Sequence, residues 1–280
     1  MDDRAIMKRT LDGITYNYID PTGNITILVD SDVKAYDHIL VADRLMEAES
    51  SCEQVGFVGK SDKADTKLEM ASGEFCGNAT MSAAALFCDE AGAGEDVETT
   101  VRVETAAGIV PVDITPRTEK GKRYYEGRVK MPIPVGIKSR RFSYMDREWE
   151  LPIVHFDGIS HIIALTEEVG FTDDETVDVL KKWWGEIRTP CLGIMLIDEK
   201  KRTSDSEISV RMRPMVYASG VETCYWESSC ASGTTALAAY YKQKYNINEL
   251  VLTAQEPAGT LTVTCKDDGT LTLGGRVTIR

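Results

Sequence analysis

Two cysteines occupy matching settings. Cys76 opens Cys76-Gly77-Asn78-Ala79-Thr80-Met81-Ser82-Ala83-Ala84-Ala85, and Cys230 opens Cys230-Ala231-Ser232-Gly233-Thr234-Thr235-Ala236-Leu237-Ala238-Ala239. Each is followed by small residues, a threonine four positions on, and a small apolar run that predicts a helix. Both thiols therefore stand at helix N-termini, where backbone N–H groups and the helix dipole stabilise a thiolate and lower its pKa below about 8.5. The N–H groups of Gly77, Asn78 and Ala79 are expected to point beside Cys76, where they suit a carboxylate. One such cysteine is most often a packing residue, but two in matched settings argue for a reaction that uses two thiols.

Four uses compete. A cysteine hydrolase needs one thiol and a histidine, which leaves the second cysteine redundant. A redox pair would join the thiols as a disulfide, yet no CxxC is present. A binding module with inert cysteines leaves the repetition unexplained. Two-base proton exchange uses both: one thiolate removes a proton from a carbon stereocentre, and the opposing thiol returns one from the other face. It also needs a cradle for the α-carboxylate, which two helix starts would supply.

The elements that must position these thiols are legible around them. Strands are expected at 13–18 and 25–29 around the turn Asp20-Pro21-Thr22-Gly23-Asn24, then a helix over 36–48 with Ile39, Leu40, Leu45 and Met46 available for one face. Asn24 is either a turn residue tolerating an unusual backbone or an amide aimed into a site. Cys52-Glu53-Gln54-Val55-Gly56-Phe57 reads as a strand, on which alternation would let only one of Glu53 and Gln54 face a given side. A strand at 67–70 leads into the Cys76 helix, and 97–103, 108–115 and 124–131 are rich in β-formers. The charged segment Pro116-Arg117-Thr118-Glu119-Lys120-Gly121-Lys122-Arg123 is the expected domain boundary. Beyond it the pattern restarts: strands at 142–144, 148–154 and 158–165, a helix over 173–184, a buried run at 192–197, strands near 206–212 and 216, and the Cys230 helix. Strands follow at 250–253, 259–265 and 271–279. An internal duplication of an α+β unit explains this order. The expected domains are 1–120 carrying Cys76, completed by the last strand at 268–280, and 121–267 carrying Cys230.

Composition sets the outer bounds. The 280 residues, 42% of them hydrophobic, suffice for two domain cores. A net charge of −13 argues against nucleic acid or an anionic membrane as partner. The first residues, Met1-Asp2-Asp3-Arg4-Ala5, carry early acids and no signal-like apolar core, and no apolar run approaches about 18 residues, so a cytoplasmic protein is expected. Seven cysteines without CxxC spacing make a disulfide framework unexpected, and the three histidines show no spacing that marks a metal site.

At these residues the chain resembles the diaminopimelate epimerase superfamily, the cofactor-independent two-cysteine racemases and epimerases. Thr22-Gly23-Asn24, Cys52-Glu53-Gln54, Phe75-Cys76-Gly77-Asn78 and Cys230-Ala231-Ser232-Gly233-Thr234 are similar to its motifs, and Gly158-Ile159-Ser160-His161 retains the ends of its Gly-Asn-Pro-His. The resemblance implies an α+β fold of two pseudo-symmetric domains, each a curved β-sheet wrapped around a central helix. It implies Cys76 and Cys230 as the acid/base pair, with His161 and Glu227 as polar neighbours that set the thiols' protonation. It further implies substrate contacts from Asn24, Glu53, Gln54, Gly77, Asn78, Ser232, Gly233 and Thr234, no cofactor, no metal and a homodimer. Taken alone, His161 reads equally as a core or turn histidine, and Glu227 as a surface cap.

Departures narrow the substrate. The epimerase continues its first motif as Cys-Gly-Asn-Gly with an arginine close behind, and it grips a distal carboxylate with an arginine after the second glutamate. Here the chain has Cys76-Gly77-Asn78-Ala79-Thr80-Met81 and Trp226-Glu227-Ser228-Ser229-Cys230, without that clamp. Pro21 to Val29, Cys52 to Phe57, Glu74 to Ser82 and Trp226 to Cys230 are closer to the histidine-racemising branch that serves metallophore biosynthesis. This makes histidine the leading substrate and gives Glu53 an imidazole to meet, the other reading of Glu53 being a buried acid tied to backbone amides. An epimerase or isomerase acting on another amino acid such as diaminopimelate, or a non-catalytic small-molecule binding protein, is the alternative.

Overall fold

A computed structural model describes residues 8–220 and 222–280; residues 1–7, read above for an export signal, lie outside the described residues. The chain forms two compact units, one reaching Lys130 and including Leu273–Arg280, the other Met131–Thr272.

The first unit contains β1 (Arg9–Leu11), β2 (Ile14–Pro21), β3 (Thr26–Val29), α1 (His38–Ala48), β4 (Gln54–Gly59), β5 (Thr66–Met70), α2 (Gly77–Glu90), β6 (Thr99–Thr105), β7 (Gly108–Glu119) and β8 (Lys122–Met131). Strands pair in the order β2, β3, β4, β5, β6, β7, β8, and the chain's last strand, Leu271–Ile279, pairs with both β8 and β2, closing an eight-stranded barrel.

Side-chain alternation gives that barrel two faces. Tyr16, Tyr18, Ile27, Val29 and Phe57 form a core cluster with Ala42 and Leu45 of α1. The buried face of α1 is His38, Ala42 and Leu45, spaced at helical period. Ile39 and Leu40, which the sequence offered to that face, are 59% and 57% exposed, because they lie on the opposite side of the helix. Helix α2 packs against β2, β3, β5, β6 and β7. Every residue from Gly77 to Leu86 is buried, and a helix enclosed on all sides must be small and apolar all round, as Ala83-Ala84-Ala85 provides. Gly127 on β8 makes room for it, since a Cβ there would lie 3.0 Å from the Met81 sulfur.

The charged segment 116–123 is not an interdomain linker. It forms the tip of the β7–β8 hairpin, with Glu119 opposite Lys122. Lys120 and Gly121 both have positive φ, 50° and 75°, as a two-residue turn matched to strand twist requires. The chain leaves the first unit after Lys130.

The second unit contains β9 (Gly136–Tyr144), β10 (Arg147–His155), β11 (Ile159–Leu165), α3 (Thr166–Val169), α4 (Asp173–Ile187), β12 (Cys191–Arg202), β13 (Glu207–Ala218), β14 (Thr223–Trp226), α5 (Ala231–Tyr245), β15 (Leu250–Glu256) and β16 (Gly259–Cys265), together with Leu271 and Thr272, the first residues of the last strand, β17. Pairing runs β9, β10, β11, β12, β13, β15, β16; β14 takes the Met215–Ala218 end of β13, and β15 the Glu207–Arg211 end. Helix α4 starts with a capping box between Thr172 and Glu175 and buries Val179, Leu180 and Trp183 against Phe142, Ile153 and Ile194. Helix α5 packs against β10, β11, β12, β15 and β16.

One connectivity serves both units. In the first, β2–β3 is antiparallel, β3–β4 parallel across α1, β4–β5 antiparallel, β5–β6 parallel across α2, and β6–β7 antiparallel. In the second the sequence repeats as β10–β11, β11–β12 across α3 and α4, β12–β13, β13–β15 across α5, and β15–β16. The fold is thus mixed and sheet-rich, with few helices. No helix among the described residues is long and apolar enough to cross a membrane.

Candidate active site

Cys76 and Cys230 are both helix N-caps, with nearly the same extended backbone: φ −127°, ψ 120° and φ −128°, ψ 102°. The sulfur of Cys76 accepts the Ala79 N–H at 3.5 Å, and that of Cys230 accepts the Gly233 N–H at 3.3 Å. Each shared threonine folds its hydroxyl back onto the cysteine carbonyl, Thr80 at 2.6 Å and Thr234 at 2.8 Å. Its N–H also bonds that carbonyl, at 2.9 Å in both cases. The repeated threonine is therefore a fastening for the first helical turn. The N–H groups of Ala79, Gly233 and Thr234 are already engaged within the motifs, so a carboxylate placed at either cap would meet the earlier ones, of Gly77 and Asn78 or of Ala231 and Ser232.

Around Cys230 the second unit gathers four polar side chains from separate places in the chain, His161, Glu227, Ser232 and Glu256. The Nε2 of His161, on β11, lies 2.9 Å from Ser232 Oγ, which lies 3.6 Å from the Cys230 sulfur. His161 is fully buried, its Nδ1 has no hydrogen-bond partner, and burial pushes its pKa down to about 3. The ring is neutral at physiological pH. A bare lone pair is tolerated better in a buried site than a bare N–H, which assigns the proton to Nε2 as donor to Ser232. The serine O–H then points its proton towards sulfur.

The cysteine itself departs from the expectation for a helix N-terminus. Burial pushes the Cys230 thiol well above its ordinary value, and the Glu227 and Glu256 carboxylates push the same way, while the Ser232 hydroxyl acts against them. Removal from water and two nearby negative charges outweigh the helix dipole. Glu227 is thus a neighbour of the sulfur rather than a surface cap, and His161 is a core histidine with one specific polar contact.

Small residues here have a packing cause as well as any ligand role. A Cβ on Gly233 would fall 2.2 Å from the Met195 sulfur and 3.1 Å from that of Cys230, and one on Gly193 would fall 2.4 Å from His161 Nδ1. Residues 193 and 233 must be glycine for the ring, the sulfur and Met195 to share this space.

In the first unit a second polar group forms at the β2–β3 turn. The Asn24 amide donates to Glu53 Oε2 at 2.7 Å, and Gln54 Nε2 donates to Asn24 Oδ1 at 2.6 Å and to Thr26 Oγ1 at 2.8 Å. Both Glu53 and Gln54 reach Asn24, contrary to strict alternation, because β4 begins at Gln54 and leaves Glu53 outside the pleat. Their consecutive N–H groups converge on one carbonyl, that of Ile25, at 2.9 and 3.3 Å. The unusual backbone of the turn is carried by Thr22 and Gly23, with φ 58° and 90°, so Asn24 is there for its amide. Asn78 is buried in the first turn of α2, where its carbonyl accepts the Ser82 hydroxyl at 2.9 Å.

All seven cysteines are free thiols. Among the described residues, no cluster of three or more His, Cys, Asp or Glu side chains could hold a metal ion. The residue that sequence reasoning missed is Glu256, whose Oε2 accepts the Cys230 N–H at 2.6 Å and whose Oε1 accepts the Thr234 hydroxyl at 2.5 Å. A signal was present: Leu250, Leu252, Ala254 and Glu256 occupy the buried positions of β15, and an acid in that register needs a partner inside.

Comparison with known proteins agrees with this geometry. The family described as "Histidine racemase CntK N-terminal domain" matches residues 13–279. A histidine racemase of Fusobacterium nucleatum is 31% identical over 255 residues, covering 89% of each chain. One from Staphylococcus aureus strain Mu50 is 28% identical over 260 residues, covering 90% of this chain and 89% of that one. Among solved structures, a probable proline racemase of Agrobacterium radiobacter K84 covers 95% of this chain and 91% of its own, with 16% identity and a TM-score of 0.65. A hydroxyproline epimerase of Agrobacterium vitis covers 95% and 90%, with 14% identity and a TM-score of 0.68. At such identities these two establish a shared fold. The match along nearly the whole chain and the curated relatives establish more: the chain is an isomerase, an amino-acid racemase that belongs to the histidine racemase family.

Proposed function

We propose that this racemase interconverts L-histidine and D-histidine without a cofactor, by two-base proton exchange at Cα. The observation that carries this reading is the pair of cysteine N-caps, alike in backbone, sulfur contact and threonine fastening, each set in the same strand connectivity. One sulfur, as thiolate, takes the Cα proton and becomes a thiol. The C–H electron pair passes into the α-carboxylate, and the other sulfur, as thiol, gives its proton to the opposite face and becomes the thiolate. The two sulfurs then hold exchanged protonation states, ready for the reverse enantiomer. The N–H groups of Gly77, Asn78 and Ser232 hold the carboxylate as charge grows on it.

The two units are read as pseudo-symmetric domains of the diaminopimelate epimerase type, each of which supplies one thiol. Histidine is favoured by the family and by the Asn24, Glu53 and Gln54 group, whose carboxylate suits an imidazole N–H. The test is incubation of L-histidine in deuterated water without pyridoxal phosphate, beside a panel of other amino acids. D-Histidine carrying deuterium at Cα is expected. Inversion of another amino acid with neither exchange nor inversion of histidine would remove histidine as the substrate.

A further inference from the structure

Glu256 is a buried carboxylate, 3% exposed, placed at the mouth of α5. Its two oxygens take two different groups of the Cys230 motif, the cysteine N–H at 2.6 Å and the Thr234 hydroxyl at 2.5 Å. The same hydroxyl lies 2.8 Å from the Cys230 carbonyl, so its one proton is shared between carboxylate and carbonyl. The carboxylate thus fixes the backbone on both sides of the sulfur-bearing residue while bringing a negative charge beside it. Position 256 is the last residue of β15, held at Gly259 by β16, so the charge sits on a rigid element.

Acidic and neutral groups from three elements act on the Cys230 sulfur. Glu227 approaches from the segment after β14, Glu256 acts from β15, and Ser232 approaches from α5 with the neutral His161 of β11 behind it. Two acids make this a setting that disfavours negative charge on sulfur. Cys76 differs: its side chain is partly exposed, where Cys230 is buried. In the first turn of its helix, Gly77-Asn78-Ala79, there is no acid, and Glu74 stands two residues before the cysteine. The two caps share a backbone but differ in exposure.

We propose that Glu256 is a positioning residue which, while clamping the first turn of α5, holds Cys230 in its thiol form, so that Cys76 carries the thiolate in the resting protein. The inference rests on the two-thiol reading and adds an order to it: at rest Cys76 is the base and Cys230 the acid. After each turnover the protein is left in the opposite, less stable state, with charge on Cys230 beside two carboxylates. It returns by running the reverse enantiomer or by exchanging protons with solvent.

The experiment is alkylation of the whole protein with sub-stoichiometric iodoacetamide between pH 6 and 10, with label at each cysteine read by peptide mass spectrometry. In the unsubstituted protein the midpoint for Cys76 is expected below that for Cys230. Glu256→Gln keeps the shape of the side chain and one acceptor oxygen but removes the charge, and it should lower the Cys230 midpoint by about one pH unit or more while leaving that of Cys76 in place. Glu256→Asp, which keeps the charge, should leave the Cys230 midpoint closer to the original. A Cys230 midpoint at or below that of Cys76 in the unsubstituted protein would overturn the proposal, and that arm does not depend on any variant folding. A Cys230 profile unmoved by Glu256→Gln would also overturn it. Failure of the two-thiol reading looks different: Cys76→Ser or Cys230→Ser would retain turnover, whatever the labelling order.

Discussion

The Nε2 of His161 lies 2.9 Å from the hydroxyl oxygen of Ser232, which places a neutral, fully buried ring two hydrogen-bond steps from the Cys230 sulfur. The ring orients a donor; it does not supply a charge. Ser232→Ala removes that donor and leaves the Nε2–H of His161 buried without an acceptor, at a cost of about 1–3 kcal/mol. The expected result is a fall in kcat of about tenfold or more with a smaller change in KM, read by steady-state kinetics on both enantiomers. Equal kinetics in the variant would show that the serine contact is idle.

His161 also fixes a pH dependence of stability. Its pKa is about 3 in the folded chain against an ordinary 6.5, because burial disfavours the imidazolium. A depressed value means that the unfolded chain binds the extra proton first. The stabilisation that the neutral ring contributes is complete above about pH 6.5 and is lost as pH falls towards 3, by about 1.4 kcal/mol per pH unit within that window. Urea midpoints measured from pH 7 down to 4 should show this slope, and His161→Leu should flatten the His161 share of it. No limb of the activity profile between pH 5 and 8 should disappear with the histidine.

Gly233→Ala drives a Cβ into Met195 and close to the Cys230 sulfur, at 2.2 and 3.1 Å. Overpacking of this kind costs about 1–3 kcal/mol, and here it also displaces the sulfur. The variant should lose both thermal stability and activity. Adding Met195→Ala to it should recover stability non-additively, with a coupling of about 0.5–3 kcal/mol in a double-mutant cycle. Purely additive losses would mean that Gly233 is needed for another reason.

Asn24→Ala removes the amide that bonds Glu53 at 2.7 Å and accepts from Gln54 at 2.6 Å. If the group recognises the substrate side chain, loss of a hydrogen bond to a charged group costs about 1.5–3 kcal/mol. KM for histidine should then rise by about tenfold or more, with kcat changed less. Glu53→Gln should weaken histidine more than a non-imidazole amino acid. A loss shared equally by all amino acids would place Glu53 outside side-chain recognition.

How much of this was legible in the sequence follows from the range of each interaction. The two cysteine caps were readable because a cap, a small-residue turn and a threonine four positions on are local features that recur identically at Cys76 and Cys230. The strands and the repeat were readable from alternation and turn residues. What pattern could not supply was the identity of partners distant in sequence. Glu256 acts on Cys230 from the end of β15, and Met195 explains Gly233 only once β12 and α5 are packed together. The charged segment 116–123 misled because a solvent-facing hairpin tip and a linker share a composition, and only the pairing of Glu119 with Lys122 separates them. Local physics also misjudged Cys230, where burial and two acids overrule the helix dipole.

The central claim, that two sulfurs exchange protons at one carbon, is tested most directly by the fate of hydrogen at initial velocity. L-Histidine is offered in deuterated water to the unsubstituted protein, Cys76→Ser and Cys230→Ser, with Cα deuterium measured separately in remaining L-histidine and newly formed D-histidine. The account predicts fully deuterated D-histidine beside unlabelled L-histidine, because the returned proton comes from a different sulfur than the one that took the first. It also predicts no D-histidine from either serine variant. D-Histidine that retains the substrate's own protium, or turnover surviving in either variant, would contradict it.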